Sequence, residues 1–308
     1  MNAILQNKPR LNSSKIEENI PLAGCTTFGV GGDADYFCVV ETKEDLSSLL
    51  KWCNGSNLSF LMIGSGSNLL VSEKGFGGLA MKLGSDFKKM NYVAPSPKLW
   101  SVGDHHMLTA GTGVSLPVLL QKAKTHSLGG LEPLVGIPGT VGGAVVTNAG
   151  TRYGKIEDVV SKLSVMDWQG VRTLAKENLK FFYRGSNIDP QKEIVLEVEF
   201  SLFEKDENGI EKDMKNYMEE RKKCQPWNLK SAGCIFKNPL EGSAAKFIEE
   251  AELKGLSKGG AEVSKVHANF IVNTGGATSN DILYLIRTIQ DKVYKKFGIL
   301  LEPEIRIV

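Results

Sequence analysis

LEPLVGIPGTVGGAVVTNAGTRYG, residues 131–154, holds six glycines among valines and other small residues, with Glu132 and Arg152 as its only charges. Glycine lets main chain approach a ligand closely or take positive φ, so this density points to backbone wrapped around something. Taken alone, such a stretch is more often a tightly turned, buried connection between sheets. A second segment of the same kind, IGSGSNLLV at residues 63–71, places Gly, Ser and Asn directly after an apolar run. Two neutral loops rich in backbone N–H groups suit a pyrophosphate and leave apolar walls for an aromatic ring system.

Upstream, TTFGVGGDAD (residues 26–35) is a glycine-rich turn into an apolar strand over residues 36–40. Thr42 and Asp45 have the spacing of a capping box, ahead of a helix with Leu46, Leu49 and Leu50 on one face. Residues 58–63 read as the next strand, with GSGSN at its C-terminal end. The third glycine of a Rossmann fingerprint is replaced by Leu69, no helical pattern follows, and no GxxxxGK[ST] occurs, so neither familiar phosphate motif is present. Ser115 opens a helix with Pro117 in its first turn and Leu116, Leu119, Leu120 and Ala123 inward, ended by Gly129 and Gly130. Beyond the central stretch, Leu163 and Val165 alternate with polar neighbours, Gln169 and Gly170 form a turn, and Leu196, Val198, Phe200 and Leu202 mark a half-buried strand. FFYRGSN (residues 181–187) reads by itself as an arginine packed on aromatics at a turn. FEKDENGIEK (residues 203–212) lacks core residues, which places a domain boundary there. The remainder reads as a helix over 212–223, a loop over 224–239, a helix over 244–251, a strand over 270–273, a long amphipathic helix ended by Gly298, and a terminal strand in LEPEIRIV.

Length and composition agree with two globular domains: 308 residues, 42% of them hydrophobic, suffice for two cores. The 37 basic and 35 acidic residues are interspersed, unlike the basic field of a nucleic-acid binder. Nothing approaches a run of about 18 apolar residues, and the N-terminus offers only Ala3, Ile4 and Leu5 before charge resumes, so the expectation is a cytoplasmic protein without membrane insertion. Five cysteines (Cys25, Cys38, Cys53, Cys224, Cys234) lack CxxC spacing, and His105, His106, His126 and His267 are scattered, so reduced thiols and no metal are expected.

Taken together, GSGSNLLV, VGIPGTVGGAVVTNAG, YRGS, SAGCIFKNP, VHANFIVN and LEPEIRIV resemble the ordered signature set of the UDP-N-acetylenolpyruvylglucosamine reductases, over about residues 26–308. The resemblance implies an α+β chain. A two-lobed FAD-binding domain of the vanillyl-alcohol-oxidase type (residues 1–205, lobes about 1–88 and 89–205) precedes a smaller α+β substrate domain (206–308). It implies non-covalent FAD, NADPH as hydride donor, and reduction of UDP-N-acetylglucosamine enolpyruvate to UDP-N-acetylmuramate, a peptidoglycan precursor. The short distance from Phe270 to the terminus resembles the compact subclass without a substrate-covering insertion. An FAD-dependent oxidase of alcohols or sugars is the alternative on the same fold.

By position in those motifs the resemblance puts the catalytic arginine at Arg184, the proton donor at Cys234 and the catalytic glutamate at Glu304. Cofactor contacts fall on Ile63, Gly64, Ser65, Gly66, Ser67, Asn68, Leu69, Gly139, Thr140, Val141, Gly142, Ala144 and Arg306. Substrate contacts fall on Tyr183, Arg184, Lys237, Asn238 and Asn269. Many relatives carry serine at the place of Cys234, and Cys224 stands where a phosphate-contacting lysine is common, with Lys222 and Lys223 beside it. The residue types suit the reaction. Reduction of the enolpyruvyl ether leaves negative charge spread into a carboxylate, which an arginine meets with two donors. The adjacent carbon then takes a proton, and a thiol with ordinary pKa near 8.5 holds one at neutral pH.

Overall fold

The computed structural model describes residues 8–94 and 106–308, so Ala3, Ile4, Leu5 and His105 lie outside the described residues. The chain forms two compact units from interleaved segments: residues 1–17, 36–64 and 78–219 in the first, residues 18–35, 65–77 and 220–308 in the second. This differs from a single cut at 205/206, because two short segments of the N-terminal half group with the C-terminal quarter.

In the first unit, helix α1 (Lys43–Gly55) starts where expected, with the Thr42 hydroxyl accepting from the Asp45 amide at 3.2 Å. The reciprocal half of a capping box is missing. Asp45 is buried and turns its carboxylate to the amides of Asn12 and Ser13 and the hydroxyl of Ser14. Burial would raise its pKa, and those hydrogen bonds outweigh burial and hold it below the ordinary carboxylate value. Leu46, Leu49, Leu50 and Trp52 pack with Tyr36, Cys38, Leu79 and Met81 into one core cluster. Beside it, the parallel pairing of Phe60–Met62 with Leu79, Ala80 and Met81 extends a small sheet.

The larger sheet of this unit is antiparallel and centres on the strand Ile194–Glu204, flanked by Val160–Met166 and His106–Gly111. Its inward residues Val198, Phe200 and Leu202 are fully buried, as the period of two predicts. Helix α2 (Leu116–Thr125) lays Leu116, Leu119, Leu120 and Ala123 on the same core. It ends at His126, before the two glycines expected to end it, because Leu128 and Gly129 pair with Glu204 and Phe203 as strand. Within the glycine-rich stretch the chain closes a short helix, α3 (Val141–Val146), which the sequence reading takes as loop. The charged segment after Phe203 is also helical: α4 (Glu207–Cys224) starts five residues before the expected helix and buries Ile210. Lys205, ahead of it, bonds Glu132 at 2.8 Å and Asp213 at 2.6 Å, so charges read as a solvated linker fasten the helix start.

In the second unit, α5 (Ala244–Glu250) and α6 (Ser279–Phe297) pack with the strands Ala261–Val263 and Ile271–Asn273. Thr278 and Asp281 form a complete capping box at the start of α6, and Gly298 ends it at φ 71°, the left-handed conformation that glycine takes without penalty. The C-terminal strand is shorter than expected: Arg306–Ile307 pairs in parallel with Leu69 and Leu70, and Pro303 makes an isolated bridge with Phe236.

Gly142 illustrates how closely the first unit is packed. A Cβ there would stand 1.7 Å from the Thr112 hydroxyl oxygen. Gly142→Ala should therefore destabilise the flavin-free protein by roughly the 1–3 kcal/mol that overpacking costs, read as a lower melting temperature. Adding Thr112→Ala should restore it; a flavin-free melt unchanged by Gly142→Ala would show that the position yields easily.

Candidate active site

In the first unit the glycine-rich stretch turns much of its main chain on the protein itself. Val141 and Gly142 donate to the carbonyls of Val114 and Thr112 at 2.9 and 3.0 Å, and Ala144 to that of Thr140 at 2.9 Å. The amide of Gly143 is capped by the Thr140 hydroxyl at 3.4 Å. The N–H groups expected of Val141, Gly142 and Ala144 for a ligand are thus already bonded. Those of Gly139 and Thr140 donate to no protein acceptor among the described residues and stay open to an anion. Ile63 is buried and its amide donates to Met81, while Gly64 lies against Thr140, whose hydroxyl oxygen would be 2.7 Å from a Cβ.

The same stretch fastens the YRGS turn. Phe181–Phe182 and Gly185–Ser186 form a two-stranded hairpin with Tyr183 and Arg184 at its tip. Arg184 sits at φ 58°, a conformation costing a non-glycine residue about 1–2 kcal/mol. The Arg184 guanidinium donates to the Gly150 carbonyl at 3.3 Å, the Ser186 hydroxyl to the Val146 carbonyl at 3.2 Å, and the Asn148 amide to the Phe182 carbonyl at 3.1 Å. Tyr183 is exposed at the tip, and the Arg184 guanidinium lies over its ring.

In the second unit, three distant motifs meet on one backbone network. Glu304 N donates to Ile235 O at 2.7 Å and Lys237 N to Glu302 O at 2.9 Å, setting residues 235–237 antiparallel to 302–304. Arg306 N donates to Asn68 O at 3.0 Å, and the Asn68 side-chain amide donates to Glu304 O at 3.3 Å. Cys234, Glu304 and Asn68 are therefore carried by adjoining chain segments though 236 residues separate the last two. The buried Gly66 permits this: at φ 68°, a Cβ would lie 2.0 Å from the Cys25 carbonyl oxygen. The amides of Ser65, Gly66 and Asn68 donate to no protein acceptor among the described residues. Leu69 is buried core.

Cys234 is half-buried, in an antiparallel bridge with Phe270. Burial pushes the thiols of Cys38 and Cys53 up to about 12, with the Asp45 charge adding to the shift at Cys38. Asn269, expected as a substrate contact, is buried and used internally: its amide donates to Phe236 O at 2.8 Å and accepts from Phe236 N at 3.0 Å, which fixes the segment after Cys234. Lys237 pairs with Glu302 at 2.5 Å, and the Asn238 side chain accepts from the Ala244 amide at the start of α5. Cys224, Lys222 and Lys223 are exposed in the last turn of α4. Sequence reasoning missed Thr112, Glu157 and Asn148. Asn148 lies inside the quoted stretch as its one amide side chain, whereas nothing local distinguishes the other two.

Residues 34–175 match a family of FAD-binding domains, and residues 225–308 match the C-terminal domain of UDP-N-acetylenolpyruvoylglucosamine reductase. The reductase of that name from Carboxydothermus hydrogenoformans is 39% identical over 297 residues, 96% of this chain and 95% of that one. The corresponding protein of Caldanaerobacter subterraneus subsp. tengcongensis is 40% identical over 98% of this chain and 96% of its own. The chain belongs to the UDP-N-acetylenolpyruvoylglucosamine reductase family. The fold agrees: the crystal structure of the Thermus caldophilus reductase superposes with a TM-score of 0.80 at 36% identity, over 96% of this chain and 99% of that one. As a reductase of this family the chain is an α+β, FAD-dependent oxidoreductase with NADPH as reductant, and the oxidase alternative is not favoured. Among the described residues, no helix is long and apolar enough to cross a membrane.

Proposed function

We propose that Arg184, Cys234 and Glu304 carry the NADPH-dependent, FAD-mediated reduction of UDP-N-acetylglucosamine enolpyruvate to UDP-N-acetylmuramate, with residues 1–205 serving the cofactor and 206–308 the substrate. The observation behind this reading is the second unit's backbone network. It fixes the thiol-bearing segment and the glutamate-bearing segment side by side and ties both to the loop whose Ser65, Gly66 and Asn68 amides lack protein acceptors among the described residues. A neutral loop with open amides fits a pyrophosphate, and the open amides of Gly139 and Thr140 repeat that chemistry in the first unit.

When bound, FAD would relay a hydride from NADPH to the enolpyruvyl carbon. Arg184 meets the charge that develops on the substrate carboxylate, with its guanidinium orientation set by Gly150. The Cys234 thiol gives its proton to the neighbouring carbon from one face. Glu304 steadies the hydrogen-bond network of the enolic form, its backbone anchored to Ile235 and Asn68. Lys222 and Lys223 supply positive charge for the substrate diphosphate in place of the lysine that Cys224 replaces. A cytoplasmic location is in keeping with NADPH as the reductant.

The purified protein should be yellow and release intact FAD on denaturation, and added FAD should raise the melting temperature of the flavin-free form. Anaerobically, NADPH should bleach the flavin absorbance and the enolpyruvyl substrate should restore it. A colourless protein whose melting point ignores FAD, or a bleached flavin that only oxygen restores, would refute this function.

A further inference from the structure

We infer that Asn148 is a positioning residue for Arg184: its buried amide, anchored on Glu157, holds the Tyr183–Arg184 turn in the conformation that aims the guanidinium. This rests on the role proposed for Arg184. Asn148 is 2% exposed, takes φ 46°, and lies two residues before Gly150, whose carbonyl the guanidinium holds. Its side-chain nitrogen commits both hydrogens, one to Glu157 Oε2 at 2.5 Å and one to the Phe182 carbonyl at 3.1 Å. Both partners only accept, so the amide cannot be turned over: the reverse orientation would face its oxygen to a carboxylate and a carbonyl.

Glu157 is held in the form this task needs. Burial would favour its neutral form, but Lys155 at 2.5 Å, the Asn148 amide and the nearby Lys176 charge hold its carboxyl below the usual carboxylate value. At neutral pH the carboxylate is ionised and draws the Asn148 amide to one position, from which the second hydrogen reaches the Phe182 carbonyl. The arrangement sustains a turn that would otherwise relax, because Arg184 is in the left-handed region and prefers to leave it.

A residue chosen for packing alone would not look like this one, which points to function. The Asn148 side-chain oxygen is buried and has no hydrogen-bond partner among the described residues. Leaving such an acceptor unpaired is costly and uncommon in buried structure. An amide is present regardless, as expected where two donors from one nitrogen are needed and no apolar side chain can replace them.

The test measures the two half-reactions of the flavin-loaded protein separately by stopped-flow. Asn148→Ala should slow reoxidation of the flavin by the enolpyruvyl substrate about 10- to 100-fold while its reduction by NADPH changes less than about threefold. In an Arg184→Ala background the same substitution should cost nothing further in reoxidation, since Asn148 acts through Arg184. Asn148→Asp provides a signature that a packing role would not. At high pH the introduced carboxylate faces that of Glu157 and the two repel, whereas at low pH the introduced carboxyl is protonated and a donor is regained. Reoxidation in Asn148→Asp, relative to the unsubstituted protein at the same pH, should therefore recover as pH falls. If Asn148→Ala does not hold flavin, the pH profile of Asn148→Asp carries the test. Equal slowing of both half-reactions, additive losses with Arg184→Ala, or a pH-independent loss in Asn148→Asp would overturn the inference. If Arg184→Ala is itself without effect on reoxidation, the role of Arg184 fails first, and the two failures are thereby told apart.

Discussion

Arg184→Lys is expected to lower turnover about 10²- to 10³-fold, the range seen when a preorganised donor to developing charge is removed, with a much smaller change in KM. Lysine keeps the charge but presents a point instead of a planar fork. One arm of the fork donates to the Gly150 carbonyl, and under the proposed role the same planar group meets the substrate carboxylate with two donors. An ammonium that reaches Gly150 cannot also deliver two parallel donors. The stability of the protein should barely change, because lysine and arginine carry the same penalty at φ 58°. Arg184→Gly sharpens the comparison: it should keep or raise the melting temperature by relieving that penalty while turnover falls at least as far. A rise in KM with kcat unchanged would make Arg184 a plain binding residue.

How far this site could be read in the sequence depends on the range of the interactions. Periodicity marked the strands and most helices, because Val198, Phe200 and Leu202, or Leu46, Leu49 and Leu50, carry their burial in local spacing. Glycine-rich composition located the stretch at 131–154, but composition counts amides without saying which are already bonded. Those of Val141 and Gly142 are bonded to the carbonyls of Val114 and Thr112, a pairing that no local pattern announces. The same limit explains Asn269 and Asn148. Both are asparagines in motif-like surroundings, yet one closes a two-way bond with Phe236 and the other reaches across to the hairpin at 182. The charged run at 203–212 misled for a related reason. Its residues look solvated one by one, but Lys205 finds Glu132 from 73 residues earlier, and Ile210 is enough to seat the first turns of α4. The division into units is the least local property of all, since residues 18–35 and 65–77 join the C-terminal segment through long-range contacts, such as the bond from the Thr27 hydroxyl to the Ser231 carbonyl and the packing of Phe28, Val30 and Leu70 into its core.

Cys234→Ala should leave reduction of the flavin by NADPH near its normal rate and slow reoxidation by the enolpyruvyl substrate by roughly the 10²- to 10⁴-fold that general acid catalysis supplies. The proton is needed only after hydride has reached the substrate, so only the second half-reaction depends on it. Position supports a specific donor. The segment after Cys234 is fixed from two sides, by Asn269 and by Glu304, and half-buried Cys234 itself forms an antiparallel bridge with Phe270. Cys234→Ser should recover a large part of the loss, because a hydroxyl is nearly the same size and the family resemblance places serine there in many relatives. A redox or covalent thiol would predict the reverse, with serine as inactive as alanine. A cysteine that merely fills space predicts small and similar effects on both half-reactions. Stopped-flow absorbance of the flavin separates these outcomes, and equal slowing of the two half-reactions in Cys234→Ala would remove the proton-donor role.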